Sequence, residues 1–275
     1  MTTDTSLSGP TRAVHAGKLV AAALVSTSAV LMFGFGQNLA GYGTLVAALV
    51  VAAFVDRTLL RHLALIVAGL FIISLVPLNA DLSLDHMAAM GTALAFAVVV
   101  PWLVDRFVYR ERIIRFPVLT GRPWSLPAKL YLPAVVILGY FILPAYLIDS
   151  GAYLNWPDAS GDPTVFLRLF IGVNFVGIWD ELFFICTTYT LLRQHFPNWL
   201  ANLLQAVIFT SFLWEIGYTG WGPLLTFPFA LLQGYTFTLT KSFSYVVSVH
   251  LLFDLVLFLA LVHAHNREWL AIFIY

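Results

Sequence analysis

A single cysteine, Cys186, stands in a chain of 275 residues, which excludes an intrachain disulfide framework and a thiolate metal cluster. It lies inside an apolar run, where a thiol serves as a small packing residue. Charge is just as scarce. Asp, Glu, Lys and Arg make up 10% of the chain, against about 25% in a soluble protein. Fourteen basic and 14 acidic residues leave no net charge, so no nucleic-acid partner is expected. There is no His-Glu-x-x-His zinc motif, no internal repeat, no low-complexity tract and no soluble domain. What fills the sequence instead is apolar, at 60% of residues. The fold class expected is all-α: a polytopic membrane helical bundle of about eight or nine transmembrane helices whose first partner is the lipid bilayer.

Nine apolar runs are long enough to be considered as spans: 18–36, 40–55, 62–79, 87–104, 130–148, 165–192, 199–217, 223–240 and 244–263. The second is short, and the sixth is long enough to tilt or to leave the membrane. Arg12, His15 and Lys18 precede the first run. It ends in GFGQN without a small-x-small cleavage pattern, so it is an uncleaved helix rather than a signal peptide.

Cytoplasmic loops carry an excess of Lys and Arg. With the N-terminus inside and the spans alternating, all 14 basic residues fall in inner segments except Arg168 and Arg267. Six of them lie between Asp105 and Lys129: Arg106, Arg110, Arg112, Arg115, Arg122 and Lys129. The first three outer loops are neutral or acidic, with Asp81, Asp85, Asp149, Asp158 and Asp162. The expected location is a bacterial cytoplasmic membrane, multi-pass, with a cytoplasmic N-terminus.

The organisation follows. Residues 1–16 form a disordered cytoplasmic tail, and 17–148 support helices with the basic loop 105–129. Residues 165–263 make a polar intramembrane core, and 264–275 a C-terminal tail whose Trp269 and Tyr275 suit the outer interface. His263 and His265, at the end of the last span, are expected to be solvated. Glu215, near the outer end of its own span, is expected at a surface.

The first five spans hold almost no polar groups beyond Ser and Thr. The last four hold Asn174, Asp180, Glu181, Gln205, Gln233, His250 and Asp254. A buried carboxylate costs about 2.5 kcal/mol or more to insert, and such residues face the bundle interior or a wet cavity. Asp180 and Glu181 are adjacent, so their side chains diverge by about 100° and can share one cavity. Asn174 and Glu181 fall on one helix face, as do His250 and Asp254. Gly177 permits close helix approach. Gln205, Gln233 and Asn174 are equally suited to hydrogen bonding between helices.

Three motifs, DELFFI, FTSFL and HLLFD, resemble those of the CPBP (Abi) family of intramembrane proteases. That family includes CAAX prenyl endopeptidases and bacteriocin-processing or immunity proteins. Its pattern is Glu-Glu-x-x-x-Arg, then Phe-x-x-x-His, then His-x-x-x-Asn or Asp on successive helices. The resemblance covers about residues 165–263 and implies catalytic roles for Asp180, Glu181, His250 and Asp254. It implies a cavity lined by Asn174, Phe209, Leu213, Gln205 and Gln233. Three positions depart from the pattern: Asp180 replaces Glu, Ile185 replaces Arg, and Leu213 replaces the second-motif His.

The resemblance implies an endopeptidase in which a carboxylate activates water for attack on a peptide carbonyl of a membrane-associated, in some cases prenylated, substrate. Leu213 can neither donate nor accept a proton, so activity as an enzyme stays open. The alternatives are a catalytically degenerate member acting as a binding, immunity or scaffold protein, and a proton-coupled transporter using the carboxylates and His250 as a relay. Asp180, Glu181, His250 and Asp254 are also residue types that ligate a divalent ion. Of seven histidines only His250 lies well inside a polar-half span, and no cofactor is expected.

Overall fold

The computed structural model describes residues 15–118, 120 and 123–275. The polar tail expected over 1–16 lies outside them up to residue 14, as does Arg122 of the basic loop. Among the described residues the structure is helical, in nine long helices. These are α1 (Ala16–Gly34), α2 (Asn38–Val55), α3 (Arg57–Ile73), α4 (Leu84–Tyr109), α5 (Leu126–Ser150), α6 (Pro163–Leu192), α7 (Asn198–Ile216), α8 (Gly222–Thr240) and α9 (Phe243–His265). Each overlaps one of the nine apolar runs. Seven of them, all but α3 and α8, are long and apolar enough to cross a membrane. The chain is an integral, multi-pass membrane protein. Leu39, Phe54 and Leu224 stand exposed on its outside, where lipid takes the place of water.

Polar caps set the helix starts. Asp56 accepts from the backbone N–H of Thr58 (2.7 Å) and Leu59 (3.0 Å), so α3 begins at Arg57 rather than at 62. Lys18 donates to the same carboxylate, and that bond pulls the Asp56 carboxyl down to about 2. Asp162 caps α6, ahead of Pro163 in the first turn. Ser83, Ser125 and Ser242 cap α4, α5 and α9. The second run, expected to be short, forms an 18-residue helix.

Contacts between connections sort the bundle into two ends. One end gathers the Lys18–Asp56 pair, the start of α9 and the basic loop. Here Asp105, fully buried, accepts from the Ile114 N–H at 2.9 Å. His62 bonds both Glu111 (2.6 Å) and His195 (2.7 Å), and the Phe243 N–H donates to Pro117 O at 3.0 Å. The other end gathers the α3–α4 connection, the α5–α6 connection and the C-terminal tail. Arg168 donates to Leu82 O at 3.2 Å and Asn155 to Gly217 O at 2.8 Å, while Tyr275 donates to Asp149.

Of the two histidines at the end of α9, His263 is not solvated and His265 is partly exposed. His263 is 2% exposed and bonds Leu270 O at 2.7 Å; His265 bonds Trp156 O at 3.0 Å. The chain folds back after α9, and Tyr140 Oη donates to Ile272 O at 2.9 Å, so the tail covers rings that the sequence alone leaves facing water.

Between the ends the core is aromatic. Trp179 and Phe183 of α6 stack at 5.2 Å, and Phe184 stacks on Phe209 of α7 at 4.4 Å. Gly69 of α3 admits the Phe183 ring: a methyl there would overlap it and come within 3.1 Å of Ala97 O. Gly69→Leu should therefore overpack this junction and lower stability by about 1–3 kcal/mol. Gly43→Leu, where nothing lies within 4 Å, should be neutral. Thermal unfolding in detergent distinguishes the two; equal midpoints would refute the packing account.

Candidate active site

Helix α6 changes its winding at the carboxylate pair. Pro163–Asp180 is α-helical and Glu181–Tyr189 is a π-helix. Two hydroxyls on that stretch follow the wider turn, Thr187 Oγ1 donating to Leu182 O (2.9 Å) and Thr190 Oγ1 to Ile185 O (3.1 Å). A π segment within an α-helix redirects side chains and is frequent at functional sites. Here it begins on Glu181, and both carboxylates point into the bundle, Asp180 1% and Glu181 0% exposed.

His250, on α9, stands between them. Its Nδ1 lies 2.7 Å from Glu181 Oε1, and its Nε2 is 3.7 Å from both Asp180 Oδ2 and Asp254 Oδ1. Gln233 Nε2, from α8, donates to Glu181 Oε1 at 2.5 Å and to Val246 O at 3.1 Å. Glu181 Oε1 thus meets two neighbours on two other helices. Asp180 has neither oxygen bonded to a protein donor, and Asp254 Oδ2 is likewise unpaired. The ring of His250 is fixed from below by Phe229 at 5.0 Å and Phe209 at 6.1 Å. Among the described residues the ion-pair partner of both carboxylates is this histidine rather than a lysine or arginine. Ile185, in the same π segment as Glu181, is fully buried.

Glycine brings α6 and α9 together. A methyl on Gly177 would overlap Asp254 Oδ2 and come within 3.0 Å of His250 Cδ2. The three-helix junction therefore depends on an absent side chain at this position.

Above His250 Nε2 lies a cavity of about 280 Å³. Asp180, His250 and Asp254 form its polar end, with Gly177, Leu213 and Tyr218 beside them. Some of the residues expected to line it do not. Asn174 shares an azimuth with Glu181 but sits about 10 Å along the axis from it, and its amide bends back to Phe170 O at 2.8 Å. Gln205 joins α7 to α8 through Asn202 Oδ1 (2.8 Å) and Ala230 O (3.0 Å). Phe209 is stacked beneath the site, and Gln233 reaches it only through Glu181. Leu213 does line the cavity, while Glu215, exposed on α7, does not.

Tyr218 was not singled out from the sequence. It follows Gly217, whose φ of +140° turns the chain after α7, and it stacks on Tyr146 at 6.3 Å with the Trp156 edge at 5.5 Å. That turn aims the phenol into the cavity beside the carboxyls. Burial, and after it the neighbouring Asp254, push the phenol well above its usual range, so it holds its proton as a donor. The signal available was the Gly-Tyr-Thr-Gly turn closing a polar-half span.

Residues 162–256 match the family model described as Rce1-like, type II CAAX prenyl endopeptidase. The matched segment runs from the cap of α6 to beyond Asp254 and contains every residue of the polar cluster. It is the family that the three motifs resemble, and the likeness is confined to this segment of the chain. No curated protein and no solved structure matches the chain.

The Gln233–Glu181 contact should be worth about 0.6–1.7 kcal/mol, as a hydrogen bond between helices inside a membrane bundle. Gln233→Leu should lower the unfolding free energy by that amount, and the same change made on Glu181→Gln should cost less. A double-mutant cycle measured by unfolding in detergent checks this; additive effects would show that the two side chains do not interact.

Proposed function

We propose that the chain is an intramembrane endopeptidase of the CAAX-protease-like type, which hydrolyses a peptide bond of a membrane-associated substrate at Asp180, His250 and Asp254. The observation that carries this reading is the apex they form: three buried polar groups, two of them 3.7 Å from His250 Nε2, at the end of an apolar cavity. A separation of 3.7 Å is too long for a direct hydrogen bond and leaves a water room to bridge.

Asp180 is the base. It lines the cavity with both oxygens free of protein donors, whereas Glu181 does not line the cavity and its Oε1 is already occupied by Gln233 and His250. The Asp180 carboxylate takes a proton from water as the water oxygen bonds to the scissile carbonyl carbon. The carbonyl electron pair moves to oxygen, where the Tyr218 phenol donates a hydrogen bond. The oxyanion's electron pair then re-forms the carbonyl as the C–N bond breaks, and the proton passes from Asp180 to the departing nitrogen, giving a carboxylic acid and an amine. Glu181 holds the imidazole by Nδ1 and keeps Nε2 directed at the reacting water, so Glu181 and Gln233 are positioning residues. No cofactor enters this scheme. The N-terminus and the basic loop lie on the cytoplasmic side, following the distribution of Lys and Arg.

Leu213 supports a second reading, a family member that binds such a substrate without cleaving it. It gives the cavity an apolar wall where the family pattern has a histidine, and general acid–base help is typically worth about 10²–10⁴-fold.

The test is cleavage by the purified protein in detergent, with a quenched prenyl-peptide and a membrane-peptide library. Wild type should cleave, with no loss on adding chelator. Asp180→Asn and His250→Ala should each lower kcat by about 10²–10⁴-fold. Tyr218→Phe should lower it by about 10²–10³-fold at little change in KM, as loss of an oxyanion donor does. Cleavage indifferent to Asp180→Asn would sink the assignment of the base. A folded wild type that cleaves nothing, with cleavage appearing in Leu213→His, would establish the second reading.

A further inference from the structure

The cavity has a direction. Its mouth is formed by Asn79, Asp81 and His86 before and at the start of α4, and its walls by the first halves of α4 and α6. All of these belong to the end of the bundle opposite the basic loop. Towards the basic loop the way is filled. Phe184 and Phe209 stack beneath His250, Trp124 packs on Tyr245 at 5.2 Å, and the loop is bonded to the start of α9 through Pro117 O and Val118 O.

The side wall is different. α4 and α6 are joined at one level, where Trp179 Nε1 donates to Leu94 O at 2.6 Å. Above that bond they touch sparingly. Gly91 on α4 has nothing within 4 Å of where a Cβ would stand, and Gly172 on α6 has only Leu82 Cδ2 at 4.0 Å. Both line the cavity, with Met87, Met90, Val173 and Val176 around them. The result is a cleft between two membrane helices, apolar along its length and continuous with Asp180, His250 and Asp254 at its floor.

We infer that the site is served from the leaflet opposite the basic loop, and that the α4–α6 cleft takes an extended apolar segment of a membrane-anchored peptide whose scissile bond lies in that leaflet. This rests on the endopeptidase reading for the word scissile, but the sidedness stands on geometry alone. By the distribution of Lys and Arg, the leaflet is the extracytoplasmic one. The occupant is peptide of apolar side chains, since the walls offer methyl, thioether and isopropyl groups and the floor offers the groups that would meet a carbonyl.

Two experiments test it. The first needs no catalysis. Asp81→Cys at the mouth, Leu213→Cys at the floor and Arg115→Cys in the basic loop are each made with Cys186→Ala and treated with a membrane-impermeant cationic thiosulfonate in right-side-out and inverted vesicles. Asp81→Cys and Leu213→Cys should react in one vesicle orientation and Arg115→Cys in the other. Leu213→Cys reacting from the side of Arg115→Cys, or from neither side, overturns the inference. The second uses the quenched membrane-peptide library. Gly91→Phe and Gly172→Phe fill the cleft without displacing a packed neighbour and should reduce cleavage at least tenfold at unchanged thermal midpoints. Gly43→Phe on α2, equally unobstructed, should cleave as wild type does. Full cleavage by both cleft variants overturns the inference. Should wild type cleave nothing, the endopeptidase reading fails and the labelling pattern still decides the sidedness.

Discussion

The structure turns on one contact, the 2.7 Å approach of His250 Nδ1 to Glu181 Oε1. Two adjacent carboxylates inside a membrane bundle are cut off from bulk water, and breaking a buried pair by removing one partner costs about 3–5 kcal/mol. With no lysine or arginine paired to them among the described residues, that histidine is what holds the pair in place. Its position in turn fixes α9 against α6, and Gln233, bonded to the same oxygen, fixes α8 against both. Three helices are thereby tied to a single carboxylate oxygen. The first five helices contribute packing around this junction rather than chemistry, apart from the wall that α4 supplies to the cavity.

The winding of α6 lets one carboxylate make that contact while its neighbour faces the cavity. In a continuous α-helix two adjacent side chains diverge by about 100°, and a residue at the next turn would crowd them. Starting a π segment at Glu181 widens the following turn, so Glu181 turns to Gln233 and His250 while Asp180, the last α-helical residue, stays on the cavity wall. The two carboxylates therefore have different surroundings, one bonded on two sides and one without a protein donor. Gly177 completes the arrangement, since any side chain there would meet the carboxylate of Asp254.

Much of this was legible in the sequence, for a physical reason that also marks where legibility ends. A membrane helix must satisfy its own backbone and present apolar side chains over about 20 residues, so hydropathy alone locates it. All nine helices lie on the nine apolar runs for that reason. The polar residues of the last four spans likewise had to be inside, and Asp180, Glu181, His250 and Asp254 are brought within one cluster. Helical phase, however, gives azimuth and not depth. Asn174 shares a face with Glu181 and still spends its amide on its own helix. Gln205 and Gln233 are the same residue type on successive helices, and only the fold decides that one braces Asn202 and the other reaches Glu181. Tyr218 and the buried His263 of α9 depend on a turn and on a folded-back tail, neither of which has a period to detect.

The departures from the family pattern are consistent with one another once the geometry is known. Ile185 stands at the position of the pattern's arginine and is fully buried. Losing that cation leaves His250 as the group that meets both carboxylates, which is the role it takes. The shorter side chain at position 180 keeps its carboxylate back at the cavity wall, 3.7 Å from the imidazole rather than bonded to it. Leu213 removes one proton carrier from the cavity, and Tyr218, in the turn after the end of α7, brings another to the same space. The site is thus a different distribution of the same chemical functions over neighbouring positions: a carboxylate without a donor, an imidazole held from behind, and a hydroxyl that keeps its proton.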